Sequence, residues 1–530
     1  MDWGRGFRWL FDSEQGDADH LLPRWLFLRA LGLIYFSAFY SLVFQIRGLI
    51  GPEGILPAGE YLAAVSQSFP HLLGLWFAPT LLWISSGPHM LLALCWAGMA
   101  ASLAVAVNFW PRAGLAVCFV CLLSFVGAAQ VFSGYQSDGM LLEAGFLSLF
   151  FAPGGLRPGL GTAQPPSRAS LFLLRWEWFR IYFESGMVKL LSGDPEWRHL
   201  TAMDEYYQNG PLPTWIGWYM QHLPHWFQEG TAFATLAMEL GIVWMLFLPR
   251  RWRFVCFLIV TPWEAVVILT ANYTFLNYLV LSLGFLLLDD RLLEGWRRRL
   301  RLPGPAAMPA VASPAAQDVG HFRRALRAAG LCTSAVALIW IAYATTFAMA
   351  RMVLPDLPLP SGPVTALEPM RIANQYGLFA VMTRGRYEIE FQGSSDGKTW
   401  VAYPFRYKPQ DVMKAPGVYA PYQPRFEWNL WFASLGSWQQ NPIVGRAELR
   451  LLQEDPAVLA LFAGNPFAAD PPRQVRAVLW QYWFTTLDEK RRTGAWWRRR
   501  FLGVYAPVLG WMPDGQIGVT ADADPLPDHE

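Results

Sequence analysis

The sequence predicts an α-helical polytopic membrane protein of about nine transmembrane helices, followed by a C-terminal non-cytoplasmic domain of α+β or β-sandwich type. Three observations carry this. Over the 530 residues, 54% are hydrophobic and only 15% charged, against roughly 25% charged in an average soluble protein, so lipid is part of the solvent. Basic residues alternate between the connections of successive apolar runs. The last 180 or so residues change character, from apolar runs to strand-like alternation.

A helix needs about 20 apolar residues to cross a bilayer. Runs near that length lie at 25–46, 88–107, 113–132, 138–152, 169–191, 231–248, 253–270, 273–288 and 327–350. The fourth and eighth are short, and the fourth carries Asp138 and Glu143. Residues 1–24 are polar and mixed in charge, without the short apolar core and small-residue site of a cleaved signal, so they read as a cytoplasmic N-terminus. Residues 25–290 form the multi-span domain, 291–326 a basic and Pro/Ala-rich cytoplasmic linker, 327–350 the last helix, and 351–530 the soluble domain.

Short cytoplasmic connections hold an excess of Lys and Arg. With the N-terminus inside, they carry Arg112, then Arg157 and Arg168, then "PRRWR" (249–253), then "RLLEGWRRRLRL" (291–302) with Arg323, Arg324 and Arg327. The opposite connections hold Arg47, Arg198 and, in "ANYT" (271–274), no charge. The 27 Trp and 19 Tyr suit a chain with many membrane–water boundaries.

In the last segment, "RYEIEFQGSSDGKTWVAYPFRY" alternates Tyr387, Ile389 and Phe391 with Glu388, Glu390 and Gln392, then turns and resumes from Trp400 to Tyr407. That predicts a hairpin on a half-buried sheet. "RAELRLLQEDPAVLALF" predicts two short helices broken at Pro456, and "RQVRAVLWQYWFTT" another strand.

A net charge of +2, with no basic block interleaved with stacking aromatics, excludes a nucleic-acid partner. The five cysteines all lie in apolar runs, which argues against a disulfide scaffold. Cys118 and Cys121 share a helix face among apolar neighbours, so packing is expected of them rather than redox chemistry. No cofactor is implied.

The fifth run, "SLFLLRWEWFRIYFESGMVKLLSG", carries Arg175, Glu177, Arg180, Glu184 and Lys189. One central charge costs about 2.5–3.5 kcal/mol on the translocon scale, so these charges require partners. Glu177, Arg180 and Glu184 share one stripe, so Arg180 can pair within its own helix or with an acid of another. Arg175 can reach the cytoplasmic interface and Lys189 can snorkel to the opposite one. The stripe reads either as a structural ion-pair seam or as the wall of a polar cavity for a lipid headgroup, a proton or a substrate. Glu239 and Glu264, in runs six and seven, are expected to close such a cavity with Arg180.

The connection 192–228 is long, acidic and aromatic. Asp194, Glu196, Asp204 and Glu205 form its acidic set, with Trp197 and Arg198 among them. As an interfacial cap it would hold its Trp and Tyr as anchors, but anionic headgroups would repel its acids, so a functional rim is the expectation. No metal is expected, because His222 and His225 straddle Pro224 and lose helical spacing.

"SDGMLLEAGFL" (137–147), "SGMVKLLSGDPEWRHLTAMDEYYQNGPLPTWIGWYM" (185–220), "NYTFLNYLVLSLGFLLLDD", "NQYGLFAVMTRGRYEIEFQGSSDGKTW", "FEWNLWFASL", "NPFAADPPRQVRAVLWQYWF" and "WWRRRFLGVYAPV" resemble, in order, the strings of the lipase maturation factor family. That resemblance implies a multi-span membrane protein that assists folding of exported lipases. The better-known members work in the endoplasmic reticulum. Here only five of the 42 Lys+Arg are Lys and the chain ends "PLPDHE", without a retention signal, so a bacterial inner membrane with a periplasmic C-terminal domain is expected. "LIGPEGILP" (49–57) is loosely similar to the superfamily that includes vitamin K-dependent carboxylases.

Two functions follow. One is a folding factor that holds an exported client, a lipase by resemblance, beside membrane lipid. The G-x-S-x-G string at 393–397 falls in the turn of the predicted hairpin and not at a strand-to-helix elbow, so the chain is not expected to be a lipase itself. Trp428, Trp431, Phe432 and Trp438 are domain core or client surface. The alternative is a membrane-embedded enzyme acting on a lipid or membrane-proximal substrate, with Glu184 or Lys189 as base. The binding candidates are Glu177, Arg180, Glu184, Lys189, Asp194, Trp197, Arg198, Asp204 and Glu205.

Overall fold

The computed structural model describes residues 3–299, 301 and 321–525; the Pro/Ala stretch 303–320, read above as a linker, lies outside the described residues. All nine apolar runs fold as helices: α1 (Leu21–Val43), α2 (Pro88–Ala106), α3 (Pro111–Val126), α4 (Gln136–Phe151), α5 (Arg168–Leu191), α6 (His225–Leu240), α7 (Arg250–Thr270), α8 (Leu276–Gly284) and α9 (His321–Val353). Pro at the first turn starts α2 and α3, where its missing N–H costs nothing. The Ser167 side chain caps α5 by accepting from the Ser170 N–H.

Five helical segments are long and apolar enough to cross a bilayer: Ala18–Val43, Pro88–Ala106, His225–Phe247, Arg250–Thr270 and Ala325–Val353. Length and composition therefore establish five spans among the described residues rather than nine. The other four fall short for identifiable reasons. Helices α3 and α8 are apolar but short; α4 has 16 residues, or about 24 Å at 1.5 Å per residue; and α5 carries the charges.

The two ends of the bundle differ. At one end lie the basic connections. There the Arg24 guanidinium donates to the carbonyls of Leu160, Gly161 and Gln164 at 2.6–3.0 Å. Asp290 accepts the Leu21 and Leu22 N–H groups, and Arg250 pairs with Asp289. The other end carries the C-terminal domain. Four connections meet that domain: Gln45 donates to the Gln423 carbonyl at 2.9 Å, Asp138 pairs with Arg425, Asn209 donates to the Thr383 carbonyl, and Asn272 donates to the Gly417 carbonyl.

The domain is built on one antiparallel sheet. Its strands are β1 (Arg386–Ser394), β2 (Val401–Ala402), β3 (Gln474–Phe484), β4 (Trp497–Val504), β5 (Val508–Trp511) and β6 (Ile517–Ala521). β3 pairs with β1 on one side and with β4 and β5 on the other; β2 flanks β1, and β6 flanks β5. The domain is thus α+β, and the sandwich reading is corrected: among the described residues there is a single sheet, covered by α10 (Arg425–Ala433) and α11 (Pro442–Leu452).

The hairpin is present, but its second strand is only Val401–Ala402, and β1 is buried on both faces. The alternation misled because the acids of its polar face have internal partners. Glu388 pairs with Arg386 and with Lys408, and Glu390 with Arg499. The two short helices do break before Pro456. Trp428 and Trp431 are buried, whereas Phe432 is exposed. One continuous apolar cluster runs from Phe27 in α1 to Tyr505 after β4, so the bundle and the domain share a core.

Candidate functional site

Helix α5 lies at the centre of the bundle, and its Glu177, Arg180, Glu184 and Lys189 are buried. The Arg180 guanidinium pairs with Glu143 of α4, lies 3.9 Å from Glu184 and donates to the Asn374 carbonyl. Glu177 is fully buried on the same stripe. The partner of Arg180 from another helix is thus Glu143.

Further bonds to Glu143 and Glu184 come from outside the bundle, while Glu184 Oε1 has no hydrogen bond among the described residues. Residues 372–383, which lead into β1, run across the outer ends of α4 and α5 as a strap. The Asn374 N–H donates to Glu143 at 2.8 Å, the Tyr376 N–H to Glu184 at 2.6 Å, and the Met382 N–H to Asp194 at 2.6 Å. The Trp197 indole donates to the Phe379 carbonyl at 2.7 Å. Two glycines admit this approach. A Cβ on Gly139 would stand 2.7 Å from Asn374 Oδ1, and one on Gly377 would stand 2.7 Å from Val188 Cγ1. A charge-assisted bond from a backbone N–H is roughly twice as strong as a neutral one, so the strap secures the carboxylates and is itself secured by them. Beside it, Arg425 holds Asp138 bidentately at 2.7 Å for both bonds, and both side chains are buried.

Lys189 does not snorkel. Its ammonium is buried, bonds both oxygens of Glu239 at 2.7 and 2.8 Å, and lies 5.1 Å from the Trp197 ring centroid. Glu239 and Glu264 do not meet Arg180 either. Glu264 accepts from the Tyr182 hydroxyl at 2.6 Å, on a different face of α5. The physical reason is the close contact of α5 with α6 at Gly186, where a Cβ would stand 2.9 Å from that of Glu239. It brings Glu239 to Lys189, about two and a half turns along α5 from Arg180.

Those two acids line a cavity of about 520 Å³ between α5, α6 and α7. Helices Ala202–Asn209 and Trp215–Gln221 of the 192–228 connection roof it, together with the strap. A second hollow of about 260 Å³ lies on the outer side, lined by Tyr135, Glu205, Val381, Trp428, Trp431 and Phe432 among others. Tyr206, Tyr273 and Phe379 border both.

The predicted rim residues therefore divide. Asp194 and Trp197 are buried and bound to the strap. Arg198 is exposed, and Asp204 faces His225 at 3.0 Å. Glu205 accepts from Asn209 at 2.8 Å, and burial pushes its carboxyl up to about 7. Residues that sequence reasoning missed are Asn374, Tyr376, Met382 and Arg425. All act from more than 180 positions away in sequence, and their only signal was the surplus of acids in α4 and α5.

The pattern described as the lipase maturation factor transmembrane domain matches residues 22–295, and that of the lipase maturation factor C-terminal domain matches 372–507. The chain belongs to the lipase maturation factor family. It is 33% identical to lipase maturation factor 2 of Gallus gallus over 92% of this chain and 81% of that protein. It is 31% identical to lipase maturation factor 1 of Bos taurus, over 92% of this chain and 89% of the relative, and 31% identical to lipase maturation factor 2 of Homo sapiens, over 92% and 82%. No solved structure matches.

It is a multi-pass membrane protein, and the two family domains meet at the strap. Asp138, Glu143 and Glu184 belong to the transmembrane domain, while Asn374, Tyr376 and Arg425 belong to the C-terminal one.

Proposed function

We propose that this chain is a membrane-embedded maturation factor for exported lipases, in which the C-terminal domain is locked onto the outer ends of the helices as a rigid platform for the client. The observation that carries the reading is the likeness to lipase maturation factors over 92% of the chain. The geometry supports a binding role over a catalytic one. Glu184 holds a backbone N–H through one oxygen beside Arg180, and both oxygens of Glu239 neutralise Lys189, so both candidate bases of the enzymatic alternative are already engaged.

The client surface is the outer hollow and its rim. Phe432 is 45% and Val381 68% exposed, and Glu205 lines the same hollow, with Arg198 and Asp204 on the same acidic-aromatic connection, so apolar contact is bordered by charge as at other interfaces. Glu177, Arg180, Glu184, Lys189, Asp194 and Trp197 hold the platform in position. All nine helices cross a bacterial inner membrane, with the C-terminal domain in the periplasm. The test is co-expression with an exported lipase in cells lacking a maturation factor. Phe432→Glu with Val381→Glu, and separately Asp204→Asn with Glu205→Gln, should cut the yield of active lipase at least tenfold while the melting temperature of the factor holds. Full lipase yield from both double variants would reject this surface.

A further inference from the structure

The cavity beneath the 192–228 connection has a chemistry of its own. Helices α6 and α7 follow each other in the chain, yet α6 packs on α5 and on Ala202–Asn209, and α7 packs on α8 and on Trp215–Gln221. They are joined through Ile242–Phe247 and do not pack along each other's length. The space between them is the cavity. Trp226 of α6 and Val266 of α7 both line it, and they are 70% and 46% exposed, so it opens on the lipid-facing side of the bundle.

Most of the wall is apolar: Ile181, Met203, Phe227, Ala234, Val267 and Leu276. The charged groups are few: Lys189, Glu239 and Glu264. Lys189 is the only Lys or Arg lining the cavity among the described residues, and it is already held by both oxygens of Glu239. Glu264 is 6% exposed; its Oε2 accepts from Tyr182, and its Oε1 has no hydrogen-bond or ion-pair partner among the described residues. A hydrocarbon in this space would leave that oxygen buried and unsatisfied, at a cost of about 1–3 kcal/mol. A phosphate or carboxylate headgroup would meet two carboxylates and one ammonium already engaged. What satisfies both the apolar lining and the open Glu264 oxygen is an apolar chain ending in an uncharged hydrogen-bond donor.

We propose that this cavity binds one neutral, hydroxyl-headed lipid of the acylglycerol class, which enters from the bilayer between α6 and α7. The hydroxyl donates to Glu264 Oε1, and the acyl chain lies along α6. The volume of about 520 Å³ falls within the range of about 300–1,000 Å³ found for small-molecule sites. The site does not rest on the maturation reading, since it follows from the wall chemistry alone.

The experiment is direct binding to the full-length protein in phosphatidylcholine nanodiscs, with radiolabelled monoolein, oleate and oleylamine as probes. Monoolein should bind at least tenfold more tightly than either charged probe. Glu264→Leu, which removes the acceptor, should weaken monoolein at least tenfold. Ala234→Trp, which fills the cavity, should abolish binding. Val266→Trp, at an exposed position in the mouth, should slow monoolein entry without changing the melting temperature, so the proposal stays testable if the filled variant fails to fold. Oleate binding as tightly as monoolein overturns the proposal, as does undiminished binding to Glu264→Leu. Preference for oleylamine also overturns it and makes Glu264 a counter-ion for a cationic amphiphile.

Discussion

Asp138 and Arg425 are buried at 0% and 1% exposure and joined by two bonds of 2.7 Å. One sits in the first turn of α4, the other begins α10, so a single pair ties helix to domain across 287 positions. Breaking a buried pair by removing one partner leaves an uncompensated charge, at about 3–5 kcal/mol. Replacing both partners removes that charge. Arg425→Met alone and Asp138→Asn alone should each lower the melting temperature markedly, and the double variant should recover part of the loss. A thermal double-mutant cycle reads this as a coupling energy. Additive losses would mean that the two side chains act separately. Neither residue is conspicuous alone: Asp138 was visible as an acid in a short span, whereas nothing around Arg425 in "QPRFEWNLW" marks it as its partner.

Among the elements, α5 was the most legible and also the most misread. Its surplus of charge correctly demanded burial and pairing, and Arg180 does meet an acid of another helix. Which acid could not be read, because the choice is made by packing. The Gly186 contact brings α6 close and gives Glu239 to Lys189, and α4 lies against Arg180 and supplies Glu143. The strap was not legible at all. "RIANQYGLFAVM" has no periodicity, and it contributes mainly backbone N–H groups, which every sequence possesses. In β1 the alternation gave the strand, but its polar face was assigned to solvent because Arg386 and Lys408 could not be foreseen as internal partners. The weight of the α5 stripe is measurable. Arg180→Ala strands Glu143 among buried neighbours and should cost about 3–5 kcal/mol, while Arg157→Ala, at an exposed site beside Phe109, should change stability by less than about 0.5 kcal/mol. Equal melting and expression of the two variants would show that Arg180 is not needed to neutralise the stripe.

At the scale of the molecule, two independent features support the proposed orientation. Basic residues gather in alternate connections, and the four poorer connections, around Gln45, Asp138, Asn209 and Asn272, are the ones that bond to the C-terminal domain. The first feature is a matter of charge, the second of packing, and neither requires the other. Four helices are too short or too charged to cross alone, yet the rule that an unpaired polar group is excluded from hydrocarbon applies only where lipid reaches it. Here α4 is almost wholly buried, and residues 271–275, which are not helical, are buried throughout. Shielded by their neighbours, such segments can complete an odd number of crossings and leave residues 351–525 opposite the N-terminus. A reporter that is active only outside the cytoplasm, fused after Ala523, should then be active, and the same reporter fused after Arg299 should be silent. Activity of the second fusion, or silence of the first with a cytoplasmic reporter active in its place, would overturn the nine-crossing topology and with it the placing of the client surface outside the cell's interior.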